Sequence, residues 1–241
     1  MTNNQATFAT SGQYVNLPSG LFGSYKAVSV EAWVTTGVNI GWERIFQFGT
    51  SGNSNTNSTG VYRQNGPNSF GALWLDSTGS SVWNSSTSSI LFDSQMNVHV
   101  VMTFDTRGYA SLYINGTLQA STPAVVANPI PVPTVFYIGK AFDVEPGLIG
   151  SVNEFRIWGG ALSASDITTR YSQGPGEANI GLAFNLVILH FRDISSDMTF
   201  VVISSDGLCK AGEYYSSSRS CMSVPAGNPL FILFIVSLFN L

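Results

Sequence analysis

At 241 residues the chain is long enough for one β-sandwich and a tail. Charged residues make up 10% of it, against about 25% in ordinary soluble domains; hydrophobic residues make up 44%, and Ser, Thr, Asn and Gly fill much of the remainder. A net charge of −4 without any Lys/Arg cluster argues against a nucleic-acid partner, and low charge with abundant hydroxyls suits an extracellular β protein.

The first residues, Met1-Thr2-Asn3-Asn4-Gln5, carry neither the basic nor the apolar region of a signal peptide. The expectation is a fragment or truncated gene product of a larger surface protein, with a cytosolic protein as the alternative. Alternating apolar and polar residues between turn signals then predict strands at Tyr14–Leu17, Val28–Thr35, Arg44–Phe48, Gly60–Arg63, Phe70–Leu75 and Ser80–Trp83. The segment Asn53–Ser58 has no apolar residue and reads as an exposed loop. The clearest passage starts at Asn97. There Val98, Val100, Met102 and Phe104 alternate with His99, Val101, Thr103 and Asp105, predicting a strand over Val98–Asp105. A turn at Thr106-Arg107-Gly108 leads to Ala110–Ile114, and Asn115-Gly116 turns the chain into Thr117–Ser121. Asn-Gly between two such runs is a hairpin signal, because both turn positions want positive φ. Pro129, Pro131 and Pro133 mark a loop, and Val135–Gly139 and Ser151–Trp158 complete the strand set.

Ser163–Gln173 reads as a short helix, with Ser163 as N-cap and Asp166 completing a capping box. Ile167 and Tyr171 are expected to anchor it, and Thr168, Thr169 and Arg170 to face solvent. Without βαβ alternation a parallel sheet is excluded. The expected fold is all-β: an antiparallel two-sheet jelly-roll β-sandwich over residues 5–175 with one short helix and an irregular C-terminal tail. Residues 176–206, which include the strand-like Ala178–Val202, form a closing strand or a linker. The two cysteines, Cys209 and Cys221, fall in a segment spanning 207–228, and 229–241 is an apolar tail. Leu230–Leu241 is shorter than the roughly 20 residues that span a bilayer. Three readings of it stay open: a truncated transmembrane helix, a glycosylphosphatidylinositol signal, and translated non-coding sequence. Any membrane contact is expected through this tail alone.

The strings NVHVVMTFDTRGYASLYINGTLQAS (from Asn97) and FYIGKAFDVEPGLIGSVNEFRIWGGALSASDI (from Phe136) resemble the second half of a laminin-G-like domain of the concanavalin A-like lectin superfamily. SGQYVNLP, SVEAWV and RIFQFG are similar to that family's first three strands, so the resemblance covers roughly residues 5–173. It implies a concanavalin A-like sandwich serving as a non-catalytic extracellular or cell-surface recognition or adhesion module. The implied partner is a glycan or an extracellular protein, with calcium as a possible cofactor. A structural spacer domain is the alternative, and a diverged glycoside hydrolase the remote one. Residues 209–227 are similar to the start of an ephrin-receptor-like Cys-rich repeat, matching at Cys209, Gly212, Tyr214, Cys221, Pro225 and Gly227. Val224 stands where that repeat has its third cysteine, which leaves the segment incomplete, and a Cys209–Cys221 disulfide is open to it in an oxidising compartment.

No catalytic residues are expected. Glycoside hydrolases of the superfamily carry Glu-x-Asp-x-x-Glu on one strand, whereas Glu31, Glu43, Glu145, Glu154, Glu177 and Glu213 are scattered here. The resemblance makes His99 a sheet residue bonded to backbone, and His190 lies in an apolar run without a nucleophile motif. The resemblance makes Asp143 the candidate calcium ligand, with Glu145 and Asp76 as further oxygen donors, although Ala141 and Phe142 stand where pentraxin relatives place Glu and Gln. Trp42, Tyr62 and Trp83 lie beside turns and are the candidate surface aromatics for a sugar, while the resemblance puts Trp33 and Trp158 in the core and Trp74 sits on an apolar strand that is expected there too. Asn57, Asn84 and Asn115 head N-glycosylation sequons.

Overall fold

The computed structural model describes residues 5–17, 26–37, 41–50, 57–64, 70–75, 81–86, 97–122, 133–175, 186–194, 197–203, 213–215 and 221–223. For 81–86, 122 and everything from 186 onward, this is a description of the backbone. The strands in chain order are β1 (Ala6–Phe8), β2 (Val15–Leu17), β3 (Val28–Thr36), β4 (Arg44–Gly49), β5 (Ser58–Arg63), β6 (Phe70–Leu75), β7 (Ser81–Ser86) and β8 (Asn97–Phe104). They continue with β9 (Ala110–Ile114), β10 (Thr117–Thr122), β11 (Val135–Ile138), β12 (Gly150–Trp158), β13 (Leu186–Ile194), β14 (Asp197–Ile203), β15 (Glu213–Tyr215) and β16 (Cys221–Ser223). The helix α1 (Ala164–Gln173) falls between β12 and β13.

All named strand pairs are antiparallel. The first sheet has the order β10-β9-β8-β3-β12-β13-β14, with β1 also on β12; the second has the order β2-β11-β4-β5-β6-β7. Period-2 patterning assigns the faces of the first sheet. Val28, Val30, Ala32 and Val34 of β3 and Val98, Val100, Met102 and Phe104 of β8 enter the core between the sheets. In β12 the phase changes after Val152, because a register shift between Val152 and Glu154 inserts one residue; Phe155 and Ile157 then face the core. Phe155 meets Phe46 of β4 edge-on at 5.5 Å and Phe136 of β11 at 5.6 Å, and Trp74 meets Phe104 at 5.1 Å. These pairs tie the two sheets together, each buried ring contributing about 1.5–3 kcal/mol by leaving water.

Asn115 and Gly116 have φ of 49° and 76°, the positive values that a two-residue hairpin requires, and Ile114 pairs with Thr117 across the turn. The capping box of α1 is formed: the Asp166 N–H donates to Ser163 Oγ and the Ser163 N–H to Asp166 Oδ2. The strand β1 escapes prediction because three residues give too short an alternation to detect, although Ala6 and Phe8 are buried with Thr7 exposed between them.

Two expectations for the outer face of the first sheet are corrected. Arg170 is 7% exposed instead of facing solvent, because α1 lays its guanidinium 3.8 Å over the Trp158 ring. The His99 ring bonds a side chain, not backbone: its Nε2 lies 3.0 Å from Glu31 Oε1. Tyr171, although 40% exposed, stacks on Trp33 at 6.1 Å and on His99 at 6.0 Å, so it does anchor the helix.

From the strand-like segment 178–202, the backbone of β13 pairs with β12 over Glu154–Trp158 and then with β14. Farther on, β15 and β16 pair with each other, Tyr215 opposite Cys221. Cys209, the partner of any disulfide there, and the tail 229–241 lie outside the described residues.

Candidate functional site

The most developed surface feature is a corner of the second sheet where β4 begins. Gly41 and Trp42 take positive φ (79° and 55°), which turns the chain sharply into Arg44. The Arg44 N–H donates to the Pro146 carbonyl at 3.0 Å, and a bridge to Gly147 brings the loop 139–150 alongside. The Arg44 guanidinium then makes three contacts. One terminal nitrogen donates to the Trp42 carbonyl at 3.0 Å, the other lies 3.7 Å from Asp143 Oδ2, and the guanidinium carbon lies 5.4 Å from the centre of the Tyr62 ring. The rings of Trp42 and Tyr62 are 5.5 Å apart.

Burial pulls the Arg44 guanidinium below its ordinary value, with Asp143 and Glu145 opposing; burial likewise pushes the Tyr62 hydroxyl up, opposed by Arg44. The Glu145 N–H donates to Asp143 Oδ1 at 3.1 Å, closing a small turn with Val144 fully exposed at its tip.

The corner therefore joins two sets of residues that the sequence kept apart, an aromatic pair and an acidic loop, and Arg44 is the link. Sequence reasoning missed Arg44: it sits at the start of an apolar strand, and its partners lie far along the chain. Trp42 is 39% exposed, as a surface aromatic should be. Tyr62 is not at the surface. It is 2% exposed because it stands in β5 beside Gly71 of β6, where a Cβ would collide with its ring. Trp83 and Asn84 lie in β7 opposite Trp74 and Leu73, their side chains outside the described set. Asp76 is outside the described residues. Asn57 (φ 46°) enters β5, and Asn115 Oδ1 accepts from the His99 N–H at 3.0 Å. Among the described residues no group of three or more His, Cys, Asp or Glu could hold a metal.

Three glutamates, Glu31, Glu43 and Glu154, are buried against basic partners. Glu31, 1% exposed, receives His99, Arg156 (3.4 Å) and the Trp158 indole N–H (2.8 Å), with Arg170 at 3.9 Å. Glu154 pairs with Arg156 at 2.6 Å. Glu43 pairs with Arg63 at 3.3 Å and accepts the Ile149 N–H.

Residues 9–168 match the family described as the concanavalin A-like lectin/glucanases superfamily. The match stops before the Cys-rich segment, and the ephrin-receptor-like likeness of 209–227 has no support. No curated protein matches the chain. Among solved structures, domain 4 of an extracellular GH43 arabinanase from Geobacillus stearothermophilus, in complex with arabinotriose, is 20% identical with a TM-score of 0.53, over 68% of this chain and 75% of that one. The CBM40 of a Ruminococcus gnavus IT-sialidase, bound to α2,3-sialyllactose, is 12% identical with a TM-score of 0.53, over 70% of this chain and 98% of that one. A heptameric SAP-like pentraxin from Limulus polyphemus is 17% identical with a TM-score of 0.50, over 80% and 87%. At these identities the likeness is one of fold.

Proposed function

The chain belongs to the concanavalin A-like lectin/glucanases superfamily, and from that premise we propose that it is a non-catalytic recognition module that binds glycan at the Trp42 corner. The observation that carries this reading is an indole 39% exposed at a sheet rim and backed by the Tyr62 ring. An aromatic face held this way offers apolar area at little entropic cost, and the exposed Asp143 and half-buried Glu145 beside it can accept hydroxyl hydrogen bonds. The arabinotriose and sialyllactose complexes of similarly folded domains support a saccharide as the ligand class. The non-catalytic part of the reading is supported by the burial of Glu31, Glu43 and Glu154 against basic partners, which removes them from any substrate. An extracellular or cell-surface setting goes with it, supported by the low charge and the three sequons.

Calcium enters only as an assistant through Asp143 and Glu145. Arg44 already sits beside Asp143, so an ion there requires that pair to open. The second reading is a structural spacer without a ligand. The burial of Tyr62 and Arg44 favours it, since it leaves Trp42 as the corner's one exposed aromatic among the described residues.

A glycan and matrix-protein array probed with the 241-residue chain, in millimolar calcium and again in chelator, separates the readings. Retention of a glycan, weakened by about fivefold or more in Trp42→Ala, is the expected result. Silence in both buffers leaves the spacer.

A further inference from the structure

The outer face of the second sheet carries a second group of surface side chains, at its β2 edge. Register places Asn16 of β2 beside Tyr137 of β11, and Tyr137 beside Gln47 of β4, so the three share one face. Gln47 is buried under the loop after β11, where its Oε1 accepts the Phe142 N–H at 3.0 Å. Toward β2 the row comes to the surface. Asn16 is exposed, Tyr14 is 43% exposed, and Tyr137 and Lys140 are half-buried. Tyr14 meets Tyr137 edge-on at 5.2 Å, and Phe142 meets Tyr137 edge-on at 5.5 Å, so the two tyrosine rings are braced. The Lys140 ammonium sits 4.1 Å from the Tyr14 ring centre and 4.7 Å from that of Tyr137.

Charge separates this group from the Trp42 corner. Every arginine with a described side chain faces a carboxylate: Arg44 with Asp143, Arg63 with Glu43, Arg107 with Asp105, Arg156 with Glu31 and Glu154, and Arg170 with Glu31. Lys140 faces rings, as Arg44, Arg107 and Arg170 also do, but with no carboxylate among the described residues in contact. Two ring faces hold the ammonium in place without neutralising it, and its three donors remain for an acceptor.

We propose that Tyr14, Asn16, Tyr137 and Lys140 form a second saccharide-binding surface, and that it takes an anionic saccharide. The pyranose face would lie on Tyr14, the acid group (carboxylate or sulfate) on the Lys140 ammonium, and a hydroxyl on the Asn16 amide. At the corner Arg44 is already matched by Asp143, with Glu145 adding a further negative charge, so the acid has no counterpart there.

The test titrates the full chain, by calorimetry at low salt, with a uronic-acid tetrasaccharide, a sulfated tetrasaccharide and a neutral tetrasaccharide. At least one acidic ligand is expected to bind about tenfold tighter than the neutral one, with the preference shrinking as salt rises. The uronate and sulfate arms identify the acid. Lys140→Gln should abolish the preference and Lys140→Arg should keep it. Tyr14→Ala should weaken binding of the acidic ligand, and Leu118→Ala, at an exposed position of β10 on the other sheet, should leave it unchanged. Melting curves confirm that each variant folds, and Lys140→Gln decides by itself if Tyr14→Ala does not. The proposal is overturned if neither acid binds, if the neutral ligand binds equally well, or if the preference survives in Lys140→Gln. It is equally overturned if Trp42→Ala removes acid binding, which would assign the ligand to the corner and support that reading instead.

Discussion

Glu31 shows how single residues hold the outer face of the first sheet. Its carboxylate is taken out of water and given partners from three other elements: His99 on β8, Arg156 and Trp158 on β12, and Arg170 on α1. Burial pushes its carboxyl up. The His99 hydrogen bond and the charges of Arg156, His99 and Arg170 outweigh that, and it settles below its ordinary value of 4.5. A folded-state value below the unfolded one means that the unfolded chain binds the extra proton first. The stability this gives is therefore fully present above about pH 5 and is lost as pH falls through and below the ordinary carboxylate range. A series of thermal melts should be flat from pH 7 to about pH 5 and decline below it, and Glu31→Gln should decline less steeply. Equal acid slopes for the two proteins would show that Glu31 contributes nothing to the decline. Glu31→Ala leaves two guanidinium groups underpaired in the same place and should cost about 3–5 kcal/mol in urea unfolding. The partners of Glu31 are not legible in VEAW, because they are set by tertiary structure.

Elements were legible where a pattern is local. The alternation in β3, β8 and β9, the Asn115-Gly116 turn and the Ser163–Asp166 capping box all lie within a few residues of chain, and each forms as its spacing predicts. Which face a side chain meets across elements was less legible. Arg170 follows a helical period that points outward until Trp158 and Glu31 are brought beneath it. Tyr62 stands near the end of β5, and its burial depends on Gly71 in the next strand, since any other residue there would occupy the space of its ring. Gly71→Ala should therefore cost about 1–3 kcal/mol in urea unfolding, because the ring must shift or the strands must part. It should also weaken whatever the Trp42 corner retains, since Tyr62 braces the indole at 5.5 Å. A Gly71→Ala protein with unchanged stability and retention would mean that the ring has room to move, and that the corner does not depend on this packing.

Over the whole molecule, the strand inventory was more legible than its order. Hydrophobic patterning says that β3, β8 and β12 are half-buried, but the placement of β3 between β8 and β12 joins segments far apart in sequence, and no local signal encodes it. The same applies to the far edge of β12, which two partners share. β1 covers it over Gly150–Val152 and β13 over Glu154–Trp158. The matched family region ends at residue 168, before β13, so the strand that completes this edge lies in sequence that the family resemblance does not reach. Removing residues 176–241 would uncover the backbone of β12 along Glu154–Trp158, directly beside the Glu31 cluster. An uncovered edge next to a nearly complete sheet recruits strands from other copies. A chain of residues 1–175 is therefore expected to self-associate on size exclusion and to melt less cooperatively than the 1–206 chain, which retains β13 and β14. If 1–175 is monomeric and melts like 1–206, the pairing of β13 with β12 contributes nothing to the stability of the sandwich, and the working domain ends with α1.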